Sequence, residues 1–287
     1  IYNLTVNSTA SALAVGGGWV AQSYFSNGAV SNLIVNCDSN GSVTVGSAGG
    51  IAGDQAGRAG SLSIIGCSNS GSTIASGGIV GASAGSNMGT VIVEQCFTSG
   101  VIGANAGGIF GVNAGNTNGY AYATNCYSTG AINSSAGGIF GAGASINNGE
   151  TGATNCYSTG EIGTSAGGIY GANAGSAISA TATNCYSTGN IDENAGGIFG
   201  QNPTTAAVAN NCYTSGLIVG VTNGGIYPNL SNDNARGTSN YSEGNNGNSG
   251  FWSTTNANAA LTGEPTSTAV GTTWVSLGID IPYELST

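Results

Sequence analysis

The chain contains no lysine and no histidine, and its 287 residues include only two arginines, Arg58 and Arg236. A nucleic-acid binder needs clustered Lys and Arg to meet phosphates, so that class is excluded. The same shortage, with a net charge of −10, argues against docking on anionic membranes. Without His, a metal site would have to be completed by Cys and carboxylates alone. There is no run of about 18 apolar residues, so no segment reads as a membrane-spanning helix. The chain opens at Ile1 with neither a leader nor an initiator Met. It therefore reads as a processed product or a fragment whose targeting signal has been lost.

Proline is also scarce, at four residues, whereas glycine reaches 53. Glycine-rich composition without a period implies disorder, but here the period is strong. Cysteines stand at Cys37, Cys67, Cys96, Cys126, Cys156, Cys185 and Cys212, at spacings of 30, 29, 30, 30, 29 and 27 residues. Four residues after each comes Gly: Gly41, Gly71, Gly100, Gly130, Gly160, Gly189 and Gly216. A β-branched residue follows (Val43, Ile74, Ile102, Ile132, Ile162, Ile191, Ile218), and then Gly-Gly-Ile ending at Ile51, Ile79, Ile109, Ile139, Ile169, Ile198 and Ile226. Gly17-Gly18-Trp19-Val20 reads as a diverged earlier copy.

Helical repeats of this length need Ala- and Leu-rich segments with little Gly. These units instead carry short β-branched or alternating runs between Gly and Asn turns, such as Thr90-Val91-Ile92-Val93 and Ala180-Thr181-Ala182-Thr183, which read as strands. One unit buries no core alone; stacked units do, each strand pairing with its equivalent about 4.8 Å along an axis. The expected fold is all-β, a right-handed parallel β-helix (β-solenoid) of about eight coils of about thirty residues with terminal caps, roughly 40 Å long. The residues five and three before each Cys, such as Val91 and Val93 or Ala121 and Ala123, are expected to face inward. Asn before the Cys (Asn36, Asn125, Asn155, Asn184, Asn211) suits a bend with stacked amides, and the Gly four residues after the Cys suits a positive φ. Residues 1–30 are read as an N-terminal strand, cap and diverged coil, 31–228 as the repeats, and 229–287 as a loop and a capping segment. The anchors of that last segment are Phe251, Trp252, Trp274, Ile279, Ile281 and Tyr283.

These units resemble GLUG-motif repeats, which pair an Asn-Cys-Tyr-x-Thr-Gly segment with Gly-Gly-Leu-Val-Gly. Three copies carry the resemblance: Asn125–Gly130 with Gly137–Gly141, Asn155–Gly160 with Gly167–Gly171, and Asn184–Gly189 with Gly196–Gly200. It covers roughly residues 30–227, with Ile in place of Leu and an aromatic in place of Val. The resemblance implies a solenoid passenger of large secreted, adhesin-like or virion-surface proteins, without catalytic residues.

Several side chains carry functional expectations. The cysteine column reads as buried structural thiols; disulfides between neighbours such as Cys126 and Cys156 lie within reach of the strand spacing, although stacked side chains point the same way, and metal binding is the remaining alternative. Aromatics follow each later Cys (Phe97, Tyr127, Tyr157, Tyr186, Tyr213) and each later Gly-Gly-Ile (Phe110, Phe140, Tyr170, Phe199, Tyr227). If Cys and Ile face inward, alternation turns both columns outward. They would then serve as ladder-stabilising stacks, or as a surface for sugar rings or for lateral contact between rods. Burial of one column would need a bulge. Glu161 and Asp192–Glu193 are the carboxylates a β-helix glycosidase would use, and Asp38, Asp54 and Asp192–Glu193 those for calcium; solvated loop charge is the plainer account of both. Sequons begin at Asn3, Asn7, Asn40, Asn133, Asn229 and Asn240. The expectation is an extracellular structural or adhesive rod on a cell or virion surface, not an enzyme, without cofactor or metal, with self-association or carbohydrate as its partners. A glycan-binding module using the stacked surface aromatics is the alternative, and after it a carbohydrate-active β-helix enzyme.

Overall fold

The computed structural model describes residues 1–8, 13–71, 73–175, 178–219, 225–228, 237–238 and 240–242. The anchors expected between Phe251 and Tyr283 lie outside the described residues. Among those described there is no helix; every strand pairing is parallel and joins residues one repeat apart. The fold is a β-solenoid of about seven turns, with partial coils at both ends. The eight expected coils are thus about seven.

Each turn has a long face and a short face. The long face is an eight-stranded sheet formed by Ser31–Val35, Ser61–Ile65, Thr90–Glu94, Tyr120–Thr124, Glu150–Thr154, Ser179–Thr183, Ala207–Asn210 and Gly237–Thr238. The short face is a nine-stranded sheet of two-residue strands, among them Phe97–Thr98, Tyr127–Ser128, Tyr157–Ser158, Tyr186–Ser187 and Tyr213–Thr214. A third ladder aligns Val43, Ile74, Ile102, Ile132, Ile162, Ile191 and Ile218, and the Gly-Gly corners align from Gly18 to Gly196. Gly18 pairs with Gly49 and Ala21 with Ala52, so Trp19 stands at the second Gly of the corner, one place from the expected alignment. Trp19 packs against Leu13, Val43 and Ala48 at the N-terminal end.

The residue before Cys makes the bend between the two faces. It is left-handed in every copy from Asn36 on: φ is 54° at Asn125, 53° at Asn155, 54° at Asn184 and 53° at Asn211, with Gln95 and Gly66 in the same conformation. Asn and Gly tolerate that region best. The amides also bond along the axis, Asn155 Nδ2 donating to Asn125 Oδ1, Asn184 to Asn155, and Asn211 to Asn184, each at 3.2 Å.

The Gly four residues after Cys is required for a different reason than expected. Its φ is not positive. A Cβ on Gly130 would instead fall against the carbonyl of Gly100 in the preceding coil, and one on Gly160 against that of Gly130. Close approach between coils, and not handedness, excludes a side chain there.

The main core runs the length of the rod between the long face and the Gly-Gly corner. Its side chains change size in step. Where the residue after Gly-Gly-Ile is Ala52 or Val80, the inward pairs of the long face are Leu62 and Ile64, then Val91 and Val93. Where it is Phe110, Phe140, Tyr170, Phe199 or Tyr227, the later inward residues are Ala121, Ala123, Thr151, Ala153, Ala180, Ala182, Ala207 and Ala209. Summed volume per coil is thereby held, as a close-packed interior demands. A second, smaller core stacks Ile102, Ile132, Ile162, Ile191 and Ile218 against Ala106, Ala136, Ala166 and Ala195.

Candidate functional site

The aromatic column after Gly-Gly-Ile does not face outward. Phe110, Phe140, Tyr170, Phe199 and Tyr227 are all 0% exposed, which corrects the expectation for Phe140, Tyr170 and Phe199 as contact residues. The cause lies in the backbone. The N–H groups of Ile109 and Phe110 both donate to the carbonyl of Ile139 (3.0 and 2.8 Å), those of Ile139 and Phe140 to Ile169, and those of Ile169 and Tyr170 to Ile198. Two residues thus oppose one in every coil, a bulge that breaks alternation and turns both side chains inward. The rings stack at 4.8–5.2 Å with interplanar angles of 1–9°. The Tyr170 hydroxyl donates to the Thr181 carbonyl at 3.0 Å, and the Tyr227 hydroxyl accepts from the Ala209 N–H at 2.7 Å. A Tyr is therefore tolerated in this dry column because the backbone of the long face satisfies it.

The column after Cys lies on the outside of the short face and is continuous from Phe97 through Tyr127 and Tyr157 to Tyr186, at centroid distances of 4.8–4.9 Å. Phe97 and Tyr127 are half-buried. Tyr157, Tyr186 and Tyr213 are only 3%, 5% and 6% exposed. Burial pushes the Tyr127 and Tyr186 hydroxyls above their ordinary range.

The seven thiols are free and 0–1% exposed. They form a hydrogen-bonded column: the Sγ of Cys126 donates to the Val93 carbonyl at 3.4 Å, Cys156 to Ala123 at 3.5 Å, Cys185 to Ala153 at 3.4 Å and Cys212 to Ala182 at 3.4 Å. Near the N-terminal end, the backbone N–H of Cys37 donates to Cys67 Sγ, and that of Cys67 to Cys96 Sγ. Burial pushes the thiols of Cys96, Cys126, Cys156 and Cys185 well above the ordinary range, which removes the thiolate that metal binding and oxidation require.

Three features escaped the sequence reading. One is a buried polar column two residues after Cys: Ser39, Asn69, Thr98, Ser128, Ser158, Ser187 and Thr214, packed against the second Gly of the corner, as Ser158 is against Gly138. Its signal was an unbroken run of Ser, Thr and Asn at one offset. The second is that pairing continues past Pro228, through Gly237–Thr238 and Tyr241–Ser242. Asn240-Tyr241-Ser242 is a further copy of the Cys-Tyr-Ser segment with Asn replacing Cys, concealed by that replacement.

The third is an aromatic pair on the long face, one ring exposed and one half-buried. Tyr120 is 40% exposed, and its ring lies 6.5 Å from that of Tyr122 at an angle of 21°. The Tyr122 hydroxyl donates to Glu150 Oε1 at 3.0 Å; burial, then this carboxylate, pushes that hydroxyl up to about 12. The Tyr122 ring edge stands over Gly152, where a Cβ would lie 3.0 Å from it. A strand Gly at that position leaves the ring its room.

The carboxylates are scattered. Glu161 and Asp192 line a shallow recess of about 310 Å³ with Ile132, Asn133, Ile162 and Asn190. Asp192 accepts from the Thr164 hydroxyl at 3.0 Å and from the Glu193 N–H at 2.7 Å. Asp38 accepts from Ser68 at 2.6 Å. Asp54 accepts from Gln55 Nε2 at 3.3 Å, and burial pushes its carboxyl upward. Among the described residues, no three His, Cys, Asp or Glu side chains gather where a metal ion could be held. Of the sequons, Asn3, Asn7, Asn40 and Asn133 are exposed and Asn240 is buried; Asn229 lies outside the described residues.

Comparison of the chain with protein-family models, with curated proteins and with solved structures finds no match to any of them.

Proposed function

We propose that the chain is a structural or adhesive rod of GLUG-like repeats acting outside the cell, as part of a surface fibre, sheath or spike. One observation carries this reading: the residues that define the repeat are engaged with their own copies in the next coil. Asn amides bond to Asn amides, thiols to the carbonyls of the coil before, and rings stack on rings. Such a repeat supplies stiffness and length, and function then rests on the outward residues that vary between coils. A near-absence of Lys and Arg leaves trypsin-like proteases two sites, in keeping with an exposed setting. Negative-stain images of the concentrated chain test the reading. Filaments or laterally packed rods support it, and isolated particles at all concentrations, failing to adhere to any cell or polymer surface, refute it.

A second reading, glycan binding, is favoured by the Tyr120, Tyr122 and Glu150 patch: an exposed ring and a half-buried one for the apolar face of a sugar, beside a carboxylate for its hydroxyls. It moves the expected sugar contact away from Phe140, Tyr170 and Phe199, whose rings are enclosed. A glycan array in which Tyr120→Ala and Tyr122→Ala abolish a signal supports it. An array with no signal for the unaltered chain removes it.

A further inference from the structure

The outward side of the long face carries negative charge that no neighbouring cation answers. One outward column there reads Thr90, Tyr120, Glu150, Ser179 from coil to coil, and the next reads Ile92, Tyr122, Gly152, Thr181. A third places Glu94 beside Thr124. Among the described residues the cations are the Ile1 amine and Arg58. The amine donates to the Leu33 carbonyl at 2.8 Å, four pairing steps from the strand of Glu150. Arg58 lies at the corner before the Ser61–Ile65 strand, three steps away, over the Tyr24 ring of the coil before at 5.8 Å. Three steps are about 14 Å, beyond the screening length of about 8 Å at physiological salt.

Two rings project into this field. Tyr120 is exposed and Tyr122 half-buried, with centroids 6.5 Å apart. The bond from the Tyr122 hydroxyl to Glu150 Oε1, 3.0 Å long, holds the carboxylate beside the rings. It occupies one of two acceptor oxygens and leaves the other to a ligand. A ring face attracts a cation, and a carboxylate pairs with one. The same arrangement repels an anionic sugar, and an acetylated amine gains only the stacking. One coil on, the Ser179 and Thr181 hydroxyls lie 2.8 Å apart. They extend the polar surface past the reach of one small group, toward a ligand of more than one ring.

We propose, on the basis of the glycan-binding reading, that the Tyr120, Tyr122 and Glu150 site takes an amino sugar whose amine is free and positively charged. The ammonium is held by the Glu150 carboxylate and the tyrosine rings, and the next sugar of the chain lies toward Ser179 and Thr181. The net charge of −10 draws such a ligand to the rod, and Glu150 fixes where it stops.

Calorimetric titration at about pH 6, where a primary amine is protonated, tests this with oligomers of glucosamine, N-acetylglucosamine and galacturonate of equal length. The unaltered chain should bind the glucosamine oligomer about tenfold more tightly than the acetylated one, and the galacturonate oligomer least. Glu150→Gln, whose amide oxygen still accepts from Tyr122, should bring the first two to parity. Tyr120→Ala should weaken both. Glu161→Gln removes an exposed carboxylate outside this face and should leave the preference unchanged, which separates the site from the net charge. Raising salt from about 0.1 to about 1 M shortens the screening length from about 10 to about 3 Å; the preference should vanish while the acetylated oligomer stays bound. Binding of none of the three removes the glycan reading and this assignment with it. Equal or tighter binding of the acetylated or acidic oligomer, or a preference that survives Glu150→Gln, leaves the glycan reading standing and overturns the assignment. An arginine oligopeptide that outcompetes the glucosamine oligomer overturns it too, by giving the site to a protein cation.

Discussion

Asn240 Oδ1 accepts a hydrogen bond from the backbone N–H of Cys212 at 3.0 Å, and its Nδ2 donates to the Ala209 carbonyl at 2.7 Å. These are the two bonds a thiol makes elsewhere in the column: Cys67 Sγ accepts from the N–H of Cys37, and Cys212 Sγ donates to Ala182. Asn240 is thus the cysteine of the last described coil in another chemical form. Asn240→Ala should cost about 1–3 kcal/mol by leaving buried partners unmet, and Asn240→Cys should cost less. Equal losses for the two in chemical denaturation would refute the equivalence. Because Asn240 is 1% exposed, its sequon should stay unmodified in a glycosylating host, while Asn3, Asn7, Asn40 and Asn133 remain open to modification.

The free thiols predict redox indifference. With the chain native, iodoacetamide should leave all seven cysteines unmodified, and a reductant should leave the melting temperature unchanged. Alkylation should become complete only in denaturant. Loss of thermal stability on reduction would show that neighbouring coils are joined covalently.

The matched volumes of the core predict a signed coupling between Phe199 and Ala182. Alone, Phe199→Val should cost about 2–4 kcal/mol through the cavity it leaves, and Ala182→Val about 1–3 kcal/mol through overpacking. Together they should cost less than their sum, since the pair restores a combination like that of Val80 with Val91 and Val93. A double-mutant cycle measures this, and strict additivity would show that the two positions do not share space.

Alkaline pH should destabilise the rod. The Cys126, Cys156 and Cys185 thiols are raised well above 9.0, and Tyr122 is raised to about 12 from 10.0. In each case the folded state favours the protonated form. That stabilisation is fully present below the unfolded value and is lost as pH rises toward and through the folded one. Melting temperature should therefore be insensitive to these groups up to about pH 9 and fall steadily above it. A melting temperature constant to pH 11 would contradict their burial.

The long-range order of the fold was legible because register is repeated: Cys at a spacing of about thirty residues, Gly at a fixed offset and inward pairs such as Val91 and Val93 all lie where the period places them. What was not legible depends on backbone detail that a period does not encode. Two amides sharing the Ile139 carbonyl turned Phe110 inward, and alternation alone had put it outside. The stacking distance, rather than φ, explained Gly130. Asn240 was overlooked because a different residue type performs the task of Cys. Tyr120 and Tyr122 were overlooked because they occur in one coil and belong to no column.

The central claim is that residues one repeat apart lie directly above one another along a straight axis. Ser31 and Ser179 are 148 residues apart in sequence and five pairing steps apart on the outside of the long face. Spin labels at Ser31→Cys and Ser179→Cys, measured by double electron–electron resonance, should give one narrow distribution near about 24 Å, five times the strand spacing. A broad distribution, or a principal distance beyond about 40 Å, would contradict it.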